Sequence, residues 1–443
     1  MFGLERFNKI FHTFRQPVQR DVTAFISWAR GHAVTFDPLD GLNADIEKLS
    51  FLDGILENKR VVYLGEEDHW IHEKTDYRLV LLRYLVSRGW RYIGEELGLS
   101  DGVRIDRYLE TGKEAYLERI ATYGYKGALR TDRDDKATGI LKDFGGNYPV
   151  TEFKSEQLRL TRALRDISLK CGKASGRLRF FGFDLDAAAG GGYEDVEELL
   201  SPLESEPAVM NIRALIRRVP DETLDNEICR LRKVAGMIEA MEADLGKLLG
   251  EKRFGMLRQW VQTLYDSLAY NRITNTATDY KTLNIAMAAR EEAMYRHVKA
   301  VLARMGPQDK LVLMGHNRHL SKDIGLIGNA GAVPPGGKRV PSVGTSINRL
   351  LPGQVFSVWE LHDRGSSSQP VAGLRGKYTS VPGSLNAILA EAGSNYILPT
   401  AGAPLLEKTM DIAGLYNAVF RTAIALQADA VFFIREVSPL RGT

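Results

Sequence analysis

The sequence predicts an α/β fold: a mostly parallel central sheet flanked by helices, with a helical insertion (cap) subdomain. Three observations predict it. Short runs rich in β-branched and aromatic residues recur between helical stretches. These runs are continuously apolar rather than alternating, as expected of strands covered on both faces. From about Glu194 to Arg304 the chain shows helix periods and offers no strand.

The opening residues, MFGLERFNKIFHTFRQPVQR, are basic and amphipathic, with Phe2, Leu4, Phe7, Ile10, Phe11 and Phe14 set among polar neighbours. They read as a packing or capping helix in an N-terminal helical segment, 1–44. The segment lacks the unbroken apolar stretch of a secretory leader, and no run elsewhere is long and apolar enough to span a bilayer. A soluble, cytoplasmic protein without integral membrane association is expected.

The first part of the α/β core, 45–193, carries strands at VVYL (61–64), RYIGE (91–95) and LRFFGFD (178–184). Between the first two, DYRLVLLRYLVSRGW places Tyr77, Val80, Leu81, Tyr84 and Leu85 on one helical face, with Gly89 as its stop. That βαβ unit predicts neighbouring parallel strands. GGGY (190–193) is the expected hinge into the helical insertion, 194–305. The second part of the core, 306–443, supplies KLVLMG (310–315), VFSVWEL (355–361) and AVFFIRE (430–436). The Gly- and Pro-rich stretch 328–344 reads as a surface loop.

A net charge of +3 on 443 residues, with basic residues scattered among acids, argues against nucleic acid as a partner. Two cysteines, Cys171 and Cys229, make neither a disulfide framework nor a zinc pattern. Oligomeric state has no signature.

Ligands of α/β sheets bind at the carboxyl ends of strands, and polar residues collect there. The first strand runs into Glu66, Glu67, Asp68 and His69; the second ends in Glu95 and Glu96. FFGFD closes on Asp184, and KLVLMG leads into HNRH, 316–319. Singly, each has a plain reading: a hydrogen-bonded loop histidine, a capping carboxylate, or for Arg78 a solvated helix face. Together they have no packing purpose, because unpaired buried charge costs stability. Two H-x-x-H pairs, His69/His72 and His316/His319, raise a metal, but neither has the H-E-x-x-H spacing of zinc helices.

With these residues in hand, the chain resembles the erythromycin esterase-like family over about 45–365. The resemblance rests on G-E-x-x-H at Gly65-Glu66-Glu67-Asp68-His69, then Arg78, then a strand ending in Glu96 (Glu95 being the other alignment). It continues through DRYLETG (106–112), FFGFD, REEAM (290–294) and GHNRHL. It implies a hydrolase that opens an ester or lactone of a small molecule with activated water, without a covalent serine or cysteine intermediate. His69 would be the general base and Glu66 its neighbouring carboxylate, fixing its tautomer. Arg78 and Glu96 would orient base, water or substrate. His316 would stabilise or protonate the developing alkoxide, with His319, Asn317, Asp184 and Trp70 facing the substrate. No cofactor is implied. The alternatives are a metal-dependent hydrolase, with an ion at Glu66, His69, His316 and His319, and a non-catalytic small-molecule-binding protein. Glu67, Asp68 and Trp70 depart from the family's small residues and Gly around the His, so a macrolide substrate does not follow.

Overall fold

The computed structural model describes residues 17–118, 120, 150–171, 176–185, 192–217, 219, 222–277, 279–329, 340–369, 377–413 and 419–442. The apolar positions 2–14, the start of GGGY and most of the Gly/Pro loop lie outside the described residues. The strands are β1 Val34–Thr35, β2 Val61–Glu66, β3 Tyr92–Gly98, β4 Arg179–Asp184, β5 Leu311–His316, β6 Gly328–Asn329, β7 Val355–Ser366, β8 Lys377–Thr379, β9 Asn395–Pro399, β10 Thr409–Ala413, β11 Val419–Ala423 and β12 Ala430–Val437. All six strands expected from the sequence are present; the short β1, β6 and β8 to β11 were not foreseen.

The chain divides into two units. The first holds Met1–Ile93, Leu141–Arg179 and Arg304–Thr443; the second holds Gly94–Ile140 and Phe180–Ala303.

In the first unit the strands run β1-β9-β12-β7-β2-β5, with β8 on β7. The inner four, β12, β7, β2 and β5, are mutually parallel, while β9, β1 and β8 pair antiparallel. β2 and β5 are buried at every position, which is why they read as unbroken apolar runs. One expectation is corrected. β2 does not neighbour the strand that follows it in sequence, because β5 and β7 occupy its two sides. The Tyr92 N–H instead bonds the Lys310 carbonyl, at the entry to β5.

Helix Glu73–Ser87 connects β2 to β3 and ends where Gly89 takes φ +90°. It packs against helix Val150–Lys170 on one side and β12 on another. That double cover buries even Lys74, Asp76 and Arg78. A separate apolar core joins Phe25 and Ala29 of helix Gln19–His32 to Leu385 and Leu389 of helix Leu385–Ala392 and to Tyr396 and Phe433 of the sheet.

Among the described residues the second unit is mainly helical beyond its parts of β3 and β4. Helices Tyr193–Leu200, Pro207–Ile216, Leu224–Ala240, Glu242–Thr276 and Tyr280–Leu302 fill the stretch where the sequence offers helix periods alone. Val196, Leu200, Leu231, Val234, Leu245, Leu257 and Trp260 form a core among the first four of them. Gly250, at φ +74° and ψ 155°, breaks the long helix. Among the described residues no helix is long and apolar enough to cross a membrane.

Candidate active site

Parallel pairing sets up the first group. The register of β2 against β5 places Glu66 opposite His316, and the Asn317 N–H donates to the Glu66 carbonyl at 2.8 Å. Two strands distant in sequence thus end side by side, at the carboxyl edge where α/β sheets hold ligands. Past Glu66 the chain turns through Glu67, Asp68, His69 and Trp70 before the helix begins at Glu73.

In that turn His69 Nδ1 lies 2.5 Å from Glu66 Oε1. The other carboxylate oxygen, Oε2, is 2.6 Å from Arg78 Nη2. Lys74 Nζ stands 3.9 Å from Glu66 Oε1, donates to the His69 carbonyl and lies over the Phe153 ring. Glu66 is only 1% exposed. Burial alone would push its carboxyl up, but Arg78, Lys74 and His69 together hold it well below the usual carboxylate range. An ionised carboxylate accepts only, so His69 carries its proton on Nδ1 and its basic nitrogen is Nε2.

Arg78, which spacing alone reads as a solvated helix face, is buried, 3% exposed. Spacing along the helix shows which residues share a face. It does not show that a buried carboxylate on the preceding strand draws a cation inward.

The ring of His316 lies 5.2 Å from that of His69, tilted by 57°, and His319 stands 6.2 Å beyond it. Both nitrogens of His316 have backbone partners. Nε2–H donates to the Glu67 carbonyl at 3.1 Å, and Nδ1 accepts from the Arg318 N–H at 3.1 Å. Burial, with His69, His319 and Arg318 nearby, pushes this imidazole well below its ordinary value, so the ring is neutral. Asn317 donates from Nδ2 to the Glu360 carbonyl at 2.9 Å. Trp70 sets its edge against His69 and Phe153.

A third strand contributes residues that sequence reasoning missed. β7 continues past the expected end at 361, and on it Glu360 and His362 share one face. Glu360 Oε2 accepts the Glu67 N–H at 2.9 Å, and Glu360 Oε1 lies 2.9 Å from His362 Nδ1. Asn386 donates to the Glu67 carboxylate at 3.1 Å and to the His362 carbonyl at 2.8 Å. Burial raises Glu67; the carboxylates of Glu67 and Glu360 raise His362 against its own burial. The available signal was the string WELHD, where ionisable residues alternate inside a strand.

In the second unit Arg290 gathers the remaining acids. Its Nε and Nη2 grip Asp184 at 2.9 and 2.6 Å, and Nη2 also reaches Glu96 Oε1 at 2.9 Å. Such a two-pronged contact is the strong form of an arginine–carboxylate pair. Glu95 is buried as well. Of the residues expected at the site, the structure therefore gathers Glu66, His69, Arg78 and His316 in the first unit, with His319, Asn317 and Trp70 about them. It brings Glu96 and Asp184 together on Arg290 in the second. Arg290 was legible only as part of a motif, and Lys74 not at all.

The chain and its fold match known proteins. The erythromycin esterase family matches residues 86–437. The chain belongs to that family. The matched span begins after the turn that holds Glu66 and His69. An Escherichia coli erythromycin esterase type I is 22% identical over 306 residues, covering 66% of this chain and 70% of that protein. Among solved structures, a Bacillus cereus protein superposes with a TM-score of 0.70 at 18% identity, covering 96% of this chain and 100% of the other. A mutant of the erythromycin esterase EreC in its open conformation gives 0.65 at 18% identity, over 90% and 96%. A succinoglycan biosynthesis protein gives 0.65 at 16% identity, over 96% and 100%. This family member thus shares its fold with proteins of differing description.

Proposed function

We propose that this member of the erythromycin esterase family hydrolyses an ester or lactone of a small molecule, with His69 as the base that activates water. The observation that carries the reading is the chain Arg78–Glu66–His69, at 2.6 and 2.5 Å. A buried, ionised Glu66 orients the imidazole through Nδ1–H and stabilises the imidazolium formed when Nε2 takes a proton from water. The resulting hydroxide attacks the carbonyl carbon. The imidazolium then returns the proton to the departing alkoxide, leaving acid and alcohol with no bond to the protein. His316, held neutral, acts here by positioning: its bond to the Glu67 carbonyl fixes the turn that carries His69.

The metal-dependent alternative at Glu66, His69, His316 and His319 has less to support it, because Arg78 and Lys74 already neutralise its one carboxylate. Glu66 faces Arg78 and His69, and both His316 nitrogens have backbone partners.

The decisive experiment is His69→Ala assayed on a panel of aryl esters, alkyl esters and lactones. Loss of at least ~100-fold in kcat/KM, with unchanged circular dichroism, is expected of a general base. A folded His69→Ala protein with wild-type turnover sinks the proposal. A wild type that binds panel members but turns over none of them favours the binding-protein reading.

A further inference from the structure

Glu67, Glu360 and His362 are not used by the hydrolysis proposed above, yet all three are buried. One oxygen of each carboxylate and one imidazole nitrogen lie within 4.8 Å of one another. His362 Nδ1 is 2.9 Å from Glu360 Oε1 and 3.7 Å from Glu67 Oε2. Tetrahedral donors bound at about 2.0–2.2 Å to zinc stand roughly 3.3–3.6 Å apart, a spacing these two separations bracket.

The surroundings suit ligands as well. Oriented ligands need outer hydrogen bonds that fix them. Glu67 Oε2 accepts from the His362 N–H and from Asn386 Nδ2, each at 3.1 Å, and Glu360 accepts the Glu67 N–H.

The geometry points to a divalent-metal site formed by Glu67, Glu360 and His362, separate from the water-activating group, that clamps β7 to the turn bearing His69. One nitrogen and two oxygen donors suit Zn²⁺ or Mn²⁺ rather than a thiolate-seeking ion.

The test uses the full, tag-free chain, stripped with a chelator and titrated with Zn²⁺ by calorimetry, with bound metal counted by mass spectrometry. The expected result is about one equivalent per chain, weakened at least ~10-fold by Glu360→Gln and by His362→Gln, and retained by His69→Ala. Should the glutamine variants fail to fold, X-ray absorption of the zinc-loaded wild type decides, with one imidazole and oxygen donors expected in the first shell. No stoichiometric uptake means that the three residues form a proton-sharing hydrogen-bonded cluster, and overturns the inference. So does uptake lost in His69→Ala, or a first shell with two or more imidazoles. None of these results depends on turnover, so the metal site and the hydrolytic reading stand or fall separately.

Discussion

Glu66 determines what surrounds it. A carboxylate 1% exposed is tolerable only with a cation in contact, and Arg78 supplies it from the next helix. Removing one partner of a buried pair leaves an uncompensated charge, at a cost of about 3–5 kcal/mol. Arg78→Leu is therefore expected to lower the free energy of urea unfolding by that amount, and Glu66→Gln in the same chain should restore part of it. A double variant no more stable than Arg78→Leu alone would show that the pair does not carry the effect. Activity gives a second reading of the same carboxylate. Glu66→Gln keeps an oxygen facing Nδ1 but removes the charge that stabilises the imidazolium, so kcat should fall by roughly 10²–10⁴-fold with KM little changed; steady-state kinetics on any turned-over ester checks it. At this scale the motif Gly65 to His69 was legible because ionisable residues crowd a strand end. The burial of Arg78 and Lys74 was not, since both sit in an ordinary helical pattern and are drawn inward by a charge on another element. Glu360 and His362 were hidden by the apolar run around them.

At the scale of elements, the strands that could be read were those buried on both faces, because continuous burial writes itself as a continuous apolar run. β9 to β11 are short pieces with antiparallel partners, and nothing in NYILP or TMDIA separates them from loop. Order across the sheet was also illegible. The insertion of β5 beside β2 is a long-range pairing with no local trace, and yet it is what places Glu66 opposite His316. Close approach between elements is another feature written in a single residue. In the second unit, a Cβ added to Gly102 of helix Leu99–Thr111 would lie 1.8 Å from the Gly182 backbone nitrogen of β4. Backbone cannot swing aside as a side chain can, so the helix must move off the strand. Gly102→Ala, which at an open helical site stabilises by a few tenths to 1 kcal/mol, should here destabilise by at least about 1–3 kcal/mol. Gly236→Ala in helix Leu224–Ala240, where nothing lies within 4 Å of the new Cβ, serves as the control. Equal urea midpoints for the two variants would contradict the close packing.

For the molecule as a whole, the six apolar strand runs with a helical middle made the α/β class legible. Most of β3, from Gly94, and helix Leu99–Thr111 group with the helical stretch although they precede it by many residues, a long-range association with no local trace in the sequence. What the sequence hides most completely is how burial alters titration, and His297 makes that measurable in the stability of the chain. Its Nδ1–H donates to the Phe183 carbonyl at 3.0 Å and Nε2 faces the Thr263 hydroxyl at 2.9 Å, in a fully buried setting. Burial, reinforced by Arg296 and opposed by the Phe183 carbonyl and Asp184, pushes the imidazole down to about 4. An unfolded histidine titrates near 6.5, so between that pH and 4 the unfolded chain binds a proton that the folded chain refuses. The contribution is thus intact above pH 6.5, declines as pH falls, and amounts to a loss of about 3 kcal/mol by pH 4. Urea midpoints of the wild type should drop over that window more steeply than those of His297→Gln, which has no proton to bind. Parallel curves for the two proteins would mean that His297 is charged in the folded state, against the neutral ring that its burial favours.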